Sequence, residues 1–321
     1  MDIISLKNIG KATRVNVSEL DFILCTRNRP TQIRSLIRLL GTLKLINKTN
    51  VIIVDSSDSQ LDYEADLFQN FGRFKVLRTG PGLPTQRNIG LEESASALVV
   101  FLDDDVELQE NFVEETINHF NENVSCDGLG YLLQDVTLTT GSKFNDRIQG
   151  LTMSKFGQVS KSGRNLWYPT LGSRENFLAP MWIPGCAMSF RRRAISDLTF
   201  ESRLEKGVLK GYALGEDVDF TLKIIKRGGK LELCTSSLVN HYEAPGERDR
   251  TRELAVAQGA WLRYLTQVHT EYVSLPRVMV RLVAESIYLG LSVLKDVSRK
   301  SSLKNSLLKL ASFSKTPPYG I

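Results

Sequence analysis

The sequence predicts an α/β fold: one mostly parallel, Rossmann-like sheet with helices on both faces, followed by a helical extension at the C-terminus. Three observations carry this. Short apolar runs recur along the first hundred residues, DFILC at 21–25, VIIV at 51–54 and LVVFL at 98–102. Stretches of helical period lie between them. Strands alternating with helices in this way give right-handed crossovers and parallel neighbours.

Taken in order, the strand at 21–25 is followed by Pro30 at a helix start, and Ile33, Leu36, Ile37, Leu40 and Leu43 then recur at helical spacing. A second strand is expected at 51–54, a third at 74–77, a helix at 84–96 and a fourth strand at 98–102, with a further helix from about Gln109. Residues 141–182 lack periodicity and are rich in Gly, Ser, Asn, Pro and aromatics, and a loop of that length in a compact domain usually serves function. Pattern returns at 186–190, then in a helix at 216–227 and a strand-like run at 230–234. Pro276 opens a helix running to about 298, and Leu303, Leu307 and Leu310 form a second apolar stripe. The expected division is a catalytic domain over 1–255, with a first half at about 20–120 and a second at 121–255, and a basic amphipathic extension over 256–321.

Composition narrows the classes. Hydrophobic residues make up 42% and charged residues 24% of the 321, which excludes disordered, collagen-like and solenoid chains. Cys25, Cys126, Cys186 and Cys234 lie far apart, which excludes a zinc ribbon or disulfide scaffold and points to buried thiols in a reducing compartment. The first ten residues lack the apolar core of a signal peptide, and Arg281 and Glu285 interrupt the long apolar stretch at 278–294, so no spanning helix is expected and a cytoplasmic location is. The net charge of +5 is carried entirely by the segment from residue 270 onward. A neutral body argues against a nucleic-acid-binding surface. The basic, apolar tail points to an anionic membrane surface or to a partner subunit.

Ligands of open α/β sheets bind beyond the carboxyl ends of the strands. That rule gathers Thr26 and Arg27, Asp55 and Ser56, residues 78–82, and Asp103, Asp104 and Asp105 along one sheet edge. Three adjacent carboxylates repel one another and are best tolerated with a cation on them, and two of them can reach one hard divalent ion. A helix cap would need only one aspartate. Glu216 and Asp217 open a helix, where the macrodipole alone favours acids; if that helix points into the same cleft, one of them is a candidate general base. His241 follows a strand, and a lone His is more often a packing or surface residue than a ligand. Arg248 and Arg250 just after it suit a diphosphate or a solvated face. Arg87 and Asn88, following the Gly80-Pro81-Gly82 turn, suit phosphate or sugar hydroxyls, or simply open a helix.

The motifs ILCTRNRP at 23–30, VIIVDSSDS at 51–59, GLPTQRNIGLEES at 82–94, VVFLDDDVELQENFVE at 99–114, WIPGCAMSFRRRAI at 182–195 and GEDVDFTLKIIKRGGKL at 215–231 occur in that order. Together they resemble the bacterial glycosyltransferases of family 2, with a GT-A fold and nucleotide-sugar donors. The resemblance implies that Thr26, Arg27 and Asp55 hold the base and ribose, and that Arg87 and Asn88 touch the diphosphate or sugar. It also implies that Asp103 to Asp105 form a D-x-D element, Asp105 being the first candidate for the direct ligand of Mn2+ or Mg2+ and Asp103 or Asp104 contacting ribose or sugar. Trp182 and Gly185 would wall the acceptor side, Asp217 would be the base with Glu216 beside it, and His241 a further metal ligand. The implied reaction is inverting transfer of one sugar from a nucleoside-diphosphate sugar, UDP-sugar favoured, to a saccharide or lipid-linked acceptor in surface glycan synthesis. Peripheral membrane contact or a homodimer would use the C-terminal helices. The Q-x-x-R-W motif of processive members is absent, so one sugar per encounter is expected. Two alternatives are a non-catalytic sugar-nucleotide or carbohydrate-binding protein and a pyrophosphorylase. The second would want glycines after the first strand, where CTRNRP has none.

Overall fold

Every residue of β1 (Leu20–Thr26) is buried, as a strand covered on both faces must be. The computed structural model that shows this describes residues 14–16, 19–63, 65–134, 157–165, 179–205, 214–242, 252–295 and 300–315. β1 pairs in parallel with β2 (Asn50–Asp55) on one side and with β4 (Leu98–Asp103) on the other, and β2 pairs in parallel with β3 (Arg73–Arg78). Beyond β4 come β7 (Ala187–Arg191), β6 (Gly128–Gln134), β8 (Leu231–His241) and β5 (Val106–Leu108). Among the described residues these form one eight-stranded sheet in the order β3-β2-β1-β4-β7-β6-β8-β5. β7 and β5 are antiparallel to their neighbours and the other pairings are parallel.

Alternation along the buried strands divides the core. Leu20, Phe22 and Leu24 point to one face, covered by α1 (Pro30–Leu40) and α3 (Phe112–Glu122). Ile23 and Cys25 point to the other, which packs with residues of α2 (Leu83–Glu93), the single turn α4 (Arg192–Ile195) and α5 (Glu216–Lys226). Helix α5 is apolar on two sides: Phe220 and Ile224 face the sheet, whereas Val218 and Leu222 belong to a third apolar cluster with α6 (Arg252–Val268), α7 (Leu275–Lys295) and α8 (Lys300–Lys315). A buried polar tie reinforces that seam, Asp219 Oδ1 accepting from Tyr264 Oη at 2.7 Å and pairing with His269 Nε2 at 2.8 Å. The C-terminal helices are thus packed directly on the helix that opens with Glu216 and Asp217, and the boundary expected at 255/256 falls within α6.

The sheet and both helical faces match the expectation, and the element bounds mostly shift by a residue or two. One local expectation is corrected. Residues 106–108 form strand β5, so the next helix starts at Phe112 with Asn111 at its N-cap, and none of the three aspartates caps it. All four cysteines are free and buried. Among the described residues no helix is long and apolar enough to cross a membrane. Arg248, Arg250 and most of the aperiodic 141–182 segment lie outside the described residues.

Candidate active site

The switch point of the sheet lies between β1, whose chain returns as β2, and β4, whose chain leaves toward the other edge; ligands of α/β sheets bind there. After β1 the chain turns at Asn28, whose φ of 55° is left-handed, a conformation asparagine tolerates better than bulkier residues. The Asn28 amide donates to Ser57 Oγ at 2.8 Å and its side chain to Asp58 at 2.9 Å. Arg29 next to it donates through Nη1 to Asp104 Oδ1 at 2.8 Å and to Asp105 Oδ2 at 3.0 Å.

The three aspartates have separate surroundings. Asp104 is buried and accepts from Thr26 Oγ1 at 2.6 Å as well as from Arg29; burial pushes it up to about 6 against those bonds. Asp103 accepts from Arg87 Nη2 at 3.1 Å, and burial raises it despite that guanidinium. Asp105 is held below the ordinary range because, against burial, His241 and Arg29 favour its charge. The pairing of β5 with β8 brings His241 here: Val106 lies opposite His241, and the Tyr242 amide donates to Asp105 O at 3.0 Å.

His241 Nε2 lies 3.2 Å from Asp105 Oδ1, a buried oxygen that makes no well-formed hydrogen bond. Ligand atoms of Asp103, Asp105 and His241 all fall within 4.8 Å of one another. At 3.2 Å a protonated imidazole pairs with the carboxylate, and a neutral one can share a cation with it. Two carboxylates and an imidazole suit a divalent ion with positions left for phosphate oxygens.

Opposite this cluster, Gly215 at φ 77° opens α5; a Cβ there would lie 2.5 Å from the Trp261 ring, so only glycine fits. Asp217 accepts from the backbone N–H groups of Gly185 at 2.9 Å and Val218 at 2.8 Å, which leaves one lone pair on each oxygen for other use. Burial, and then Glu216, push Asp217 up to about 7. Arg87 lies between the two halves, 1% exposed. It donates to Glu216 Oε1 at 2.8 Å, to Asp103, and to Gly185 O at 2.9 Å, with its guanidinium 5.4 Å from the Phe200 ring centre. Burial works against its charge, and Asp103 and Glu216 more than restore it.

One open cleft of about 640 Å³ joins these groups. Arg87, Asp103, Gly185, Glu216, Asp217 and His241 all line it, together with Trp261, Leu262, Arg281 and Lys309 from α6, α7 and α8. Other expected residues lie elsewhere. Asn88 exchanges two hydrogen bonds with the Phe200 backbone and does not line the cleft. Trp182 packs between the sheet core and the helical core, likewise outside the cleft lining. Arg27 is exposed and pairs with Asp58 at 3.4 Å, whereas Asp55 is buried, with Arg78 Nη1 at 2.8 Å. Arg29 and the cleft-lining Arg164, Arg281 and Lys309 were not among the expected site residues, since nothing in local spacing tells which cation turns inward.

No curated protein matches the chain by sequence. By fold it is similar to TarS of S. aureus, with 15% identity and a TM-score of 0.52 over 84% of this chain and 43% of that one. It is also similar to GalNAc-T7 solved with UDP, GalNAc and Mn2+, at 14% identity and TM-score 0.58 over 93% of this chain and 58% of that one. A third is the mannosyltransferase PcManGT of Pyrobaculum calidifontis with GDP-Man and Mn2+, at 12% identity and TM-score 0.51 over 93% and 86%. The chain therefore spans about half the length of the first two. The sequence model of glycosyl transferase family 2 matches residues 21–198, which run from β1 through β7 and α4 and include the aspartate triplet, Arg87 and Gly185. That segment is more than half of the 321 residues, and the chain belongs to glycosyl transferase family 2.

Proposed function

We propose that this protein is an inverting, metal-dependent glycosyltransferase that moves one sugar from a nucleoside-diphosphate sugar, UDP-sugar favoured, to a hydroxyl of a saccharide or lipid-linked acceptor. The observation that carries the reading is that Asp103 and His241, two members of the Asp103–Asp105–His241 cluster, line one cleft with the Asp217 carboxylate, and that Arg87 bonds Asp103 in the same cleft. The likeness to proteins solved with UDP or GDP-Man and Mn2+ supports a nucleotide-sugar donor.

Asp105, Asp103 and His241 would hold Mn2+ or Mg2+. The ion, when bound, neutralises charge developing on the departing diphosphate. Thr26, Arg27 and Asp55 lie at the ends of β1 and β2, where the base and ribose of a donor at this edge would reach. Arg248 and Arg250 remain candidates for the diphosphate. Arg87 and Asn88 are bonded within the protein, and Arg87 acts on the donor through Asp103 rather than by direct contact. Asp217 takes the proton of the acceptor hydroxyl. The hydroxyl oxygen bonds to the anomeric carbon as the bond to the diphosphate breaks, and the electron pair leaves on the diphosphate oxygen. One base facing one leaving group gives single displacement with inversion. A binding protein that only recognised a sugar nucleotide would have no use for a carboxylate raised toward neutrality opposite the metal cluster.

The same chain would work at an anionic membrane surface, from its cytoplasmic side. Val280, Val283, Ile287 and Leu291 are exposed along one face of α7, and α7 and α8 together carry seven basic residues and one acid. A second copy would bring the same positive charge against itself, which favours the bilayer over a homodimer.

Turnover over a panel of nucleotide-sugars with Mn2+, in parent and Asp217→Asn chains, tests the reaction. The variant is expected to bind donor with unchanged affinity and to lose transfer by about 100-fold or more. Transfer at the parent rate would contradict the base assignment.

A further inference from the structure

A second cluster of metal-binding side chains lies away from the cleft, at the other end of β8 from His241. Glu232 and Cys234 are two residues apart on that strand, opposite Leu129 and Tyr131 of β6, so they share one face of the sheet. Helix α3 covers that face and sets His119, in its last turn, against them, with His119 Nε2 at 2.9 Å from Glu232 Oε2. Cys126 comes from the turn that joins α3 to β6. Its amide donates to Asn123 O at 2.9 Å, its carbonyl accepts from Arg191 Nε at 2.8 Å, and the Asp127 amide donates to Lys230 O at 2.8 Å. These bonds fix the turn against the start of β8. Ligand atoms of His119, Cys126 and Glu232 all lie within 4.8 Å of one another.

An ion pair between His119 and Glu232 needs no thiol, yet the buried Cys126 sits beside it, its weak S–H donor directed to Gly128 O at 3.3 Å. Burial pushes the Cys126 thiol up and the charge of Glu232 adds to this, so the sulfur keeps its proton until a cation replaces it. The bond to Cys234 raises His119 above its ordinary value, with burial opposing it and Glu232 adding to it. The imidazole thus has two partners, and a metal-ligating histidine is commonly oriented by such a second partner. One sulfur, one nitrogen and one oxygen donor suit zinc rather than the hard ions calcium and magnesium. Neighbouring ligand atoms on a tetrahedral zinc lie about 3.3–3.6 Å apart, given bonds of about 2.0–2.3 Å. That separation falls between the 2.9 Å approach of His119 to Glu232 and the 4.8 Å span of the cluster.

We propose that His119, Cys126 and Glu232 form a zinc site, with Cys234 orienting the imidazole and water as the fourth ligand. The His119 and Glu232 side chains are 20% and 29% exposed, which lets solvent reach that fourth position. On binding, the S–H bond breaks, its proton passes to solvent, and the zinc–sulfur bond forms in its place. The ion ties the end of α3 and the turn after it to the start of β8, the strand that ends in His241. The Asp103–Asp105–His241 cluster is a separate, carboxylate-rich set, so this inference stands whether or not the chain transfers sugar.

The test is titration of the full chain, stripped of metal with EDTA and desalted under reducing conditions, with CoCl2 and then ZnCl2. Co2+ is expected to bring up the intense thiolate-to-metal charge-transfer absorbance, and Zn2+ to displace it. Co2+ held by Asp103, Asp105 and His241 has no sulfur ligand and contributes no such band. Cys126→Ser is expected to remove the band, and Cys234→Ala to keep it while weakening Co2+ binding by about tenfold or more. Should Cys126→Ser fail to fold, His119→Gln at the partly exposed ligand is expected to weaken the binding that gives the band by at least as much, and unchanged binding overturns the site. A parent chain that shows no thiolate band overturns it without need of any variant. So does a band that survives in Cys126→Ser, which would place the metal on another cysteine.

Discussion

Arg87 on α2 and Glu216 on α5, 129 residues apart in sequence, form a buried ion pair of 2.8 Å that joins the strand-edge half of the cleft to the helix bearing Asp217. The same guanidinium holds Asp103 and the Gly185 carbonyl, and Gly185 in turn donates its N–H to Asp217. The positions of Asp103 and of Asp217 are therefore set by one side chain. A Cβ on Gly185 would lie 2.9 Å from Arg87 Nη2, so the close approach itself depends on glycine.

Replacing Arg87 separates its two contributions. Arg87→Met leaves the buried Glu216 and the partly exposed Asp103 without their cation and is expected to cost about 3 kcal/mol of stability by denaturant unfolding. Arg87→Lys keeps the charge but not the fork that makes three bonds, so the fold is expected to persist while transfer falls by about 10-fold or more. Parent-level transfer by the lysine variant would show that the cleft does not depend on this bridge.

The pH profile follows from Asp217. Its folded-state pKa is raised to about 7, by burial and by Glu216, so below that pH the carboxyl is protonated and cannot accept the acceptor's proton. Transfer is expected to rise about tenfold per pH unit below 7 and to level off above it, and the residual activity of Asp217→Asn is expected to lack that limb. A parent profile flat from pH 5 to 8 would contradict the assignment.

The outer face of α7 gives a prediction independent of chemistry. The chain is expected to float with liposomes containing anionic lipid and to remain behind with neutral ones, less so at high salt. The double substitution Ile287→Asp and Leu291→Asp is expected to abolish flotation without changing thermal stabilisation by UDP. Equal flotation of both chains would sink the membrane reading.

Much of the sheet was legible because buried strands and amphipathic helices write their period into sequence, as 21–25 and α1 do. The aspartates, Arg87 and Asp217 were legible as residues at strand or helix ends. Which of them meet was not. The three-residue strand β5 is too short to show a period, yet its pairing with β8 is what docks His241 against Asp105. Arg87 looked like a donor-facing residue, and only the fold shows it turned inward under Phe200. The cations at 164, 281 and 309 are far apart in sequence and separated by ordinary surface pattern, so no local signal links them.

The most direct measurement is the Mn2+ dependence of UDP binding by the parent chain and by Asp105→Ala and His241→Ala, read as Kd with and without the metal. Mn2+ is expected to tighten UDP binding by about tenfold or more in the parent, and each substitution to remove most of that gain, a change of about 1.4 kcal/mol per factor of ten. UDP affinity that is the same with Mn2+ as with EDTA, or a metal-dependent gain that survives the loss of Asp105, would contradict it.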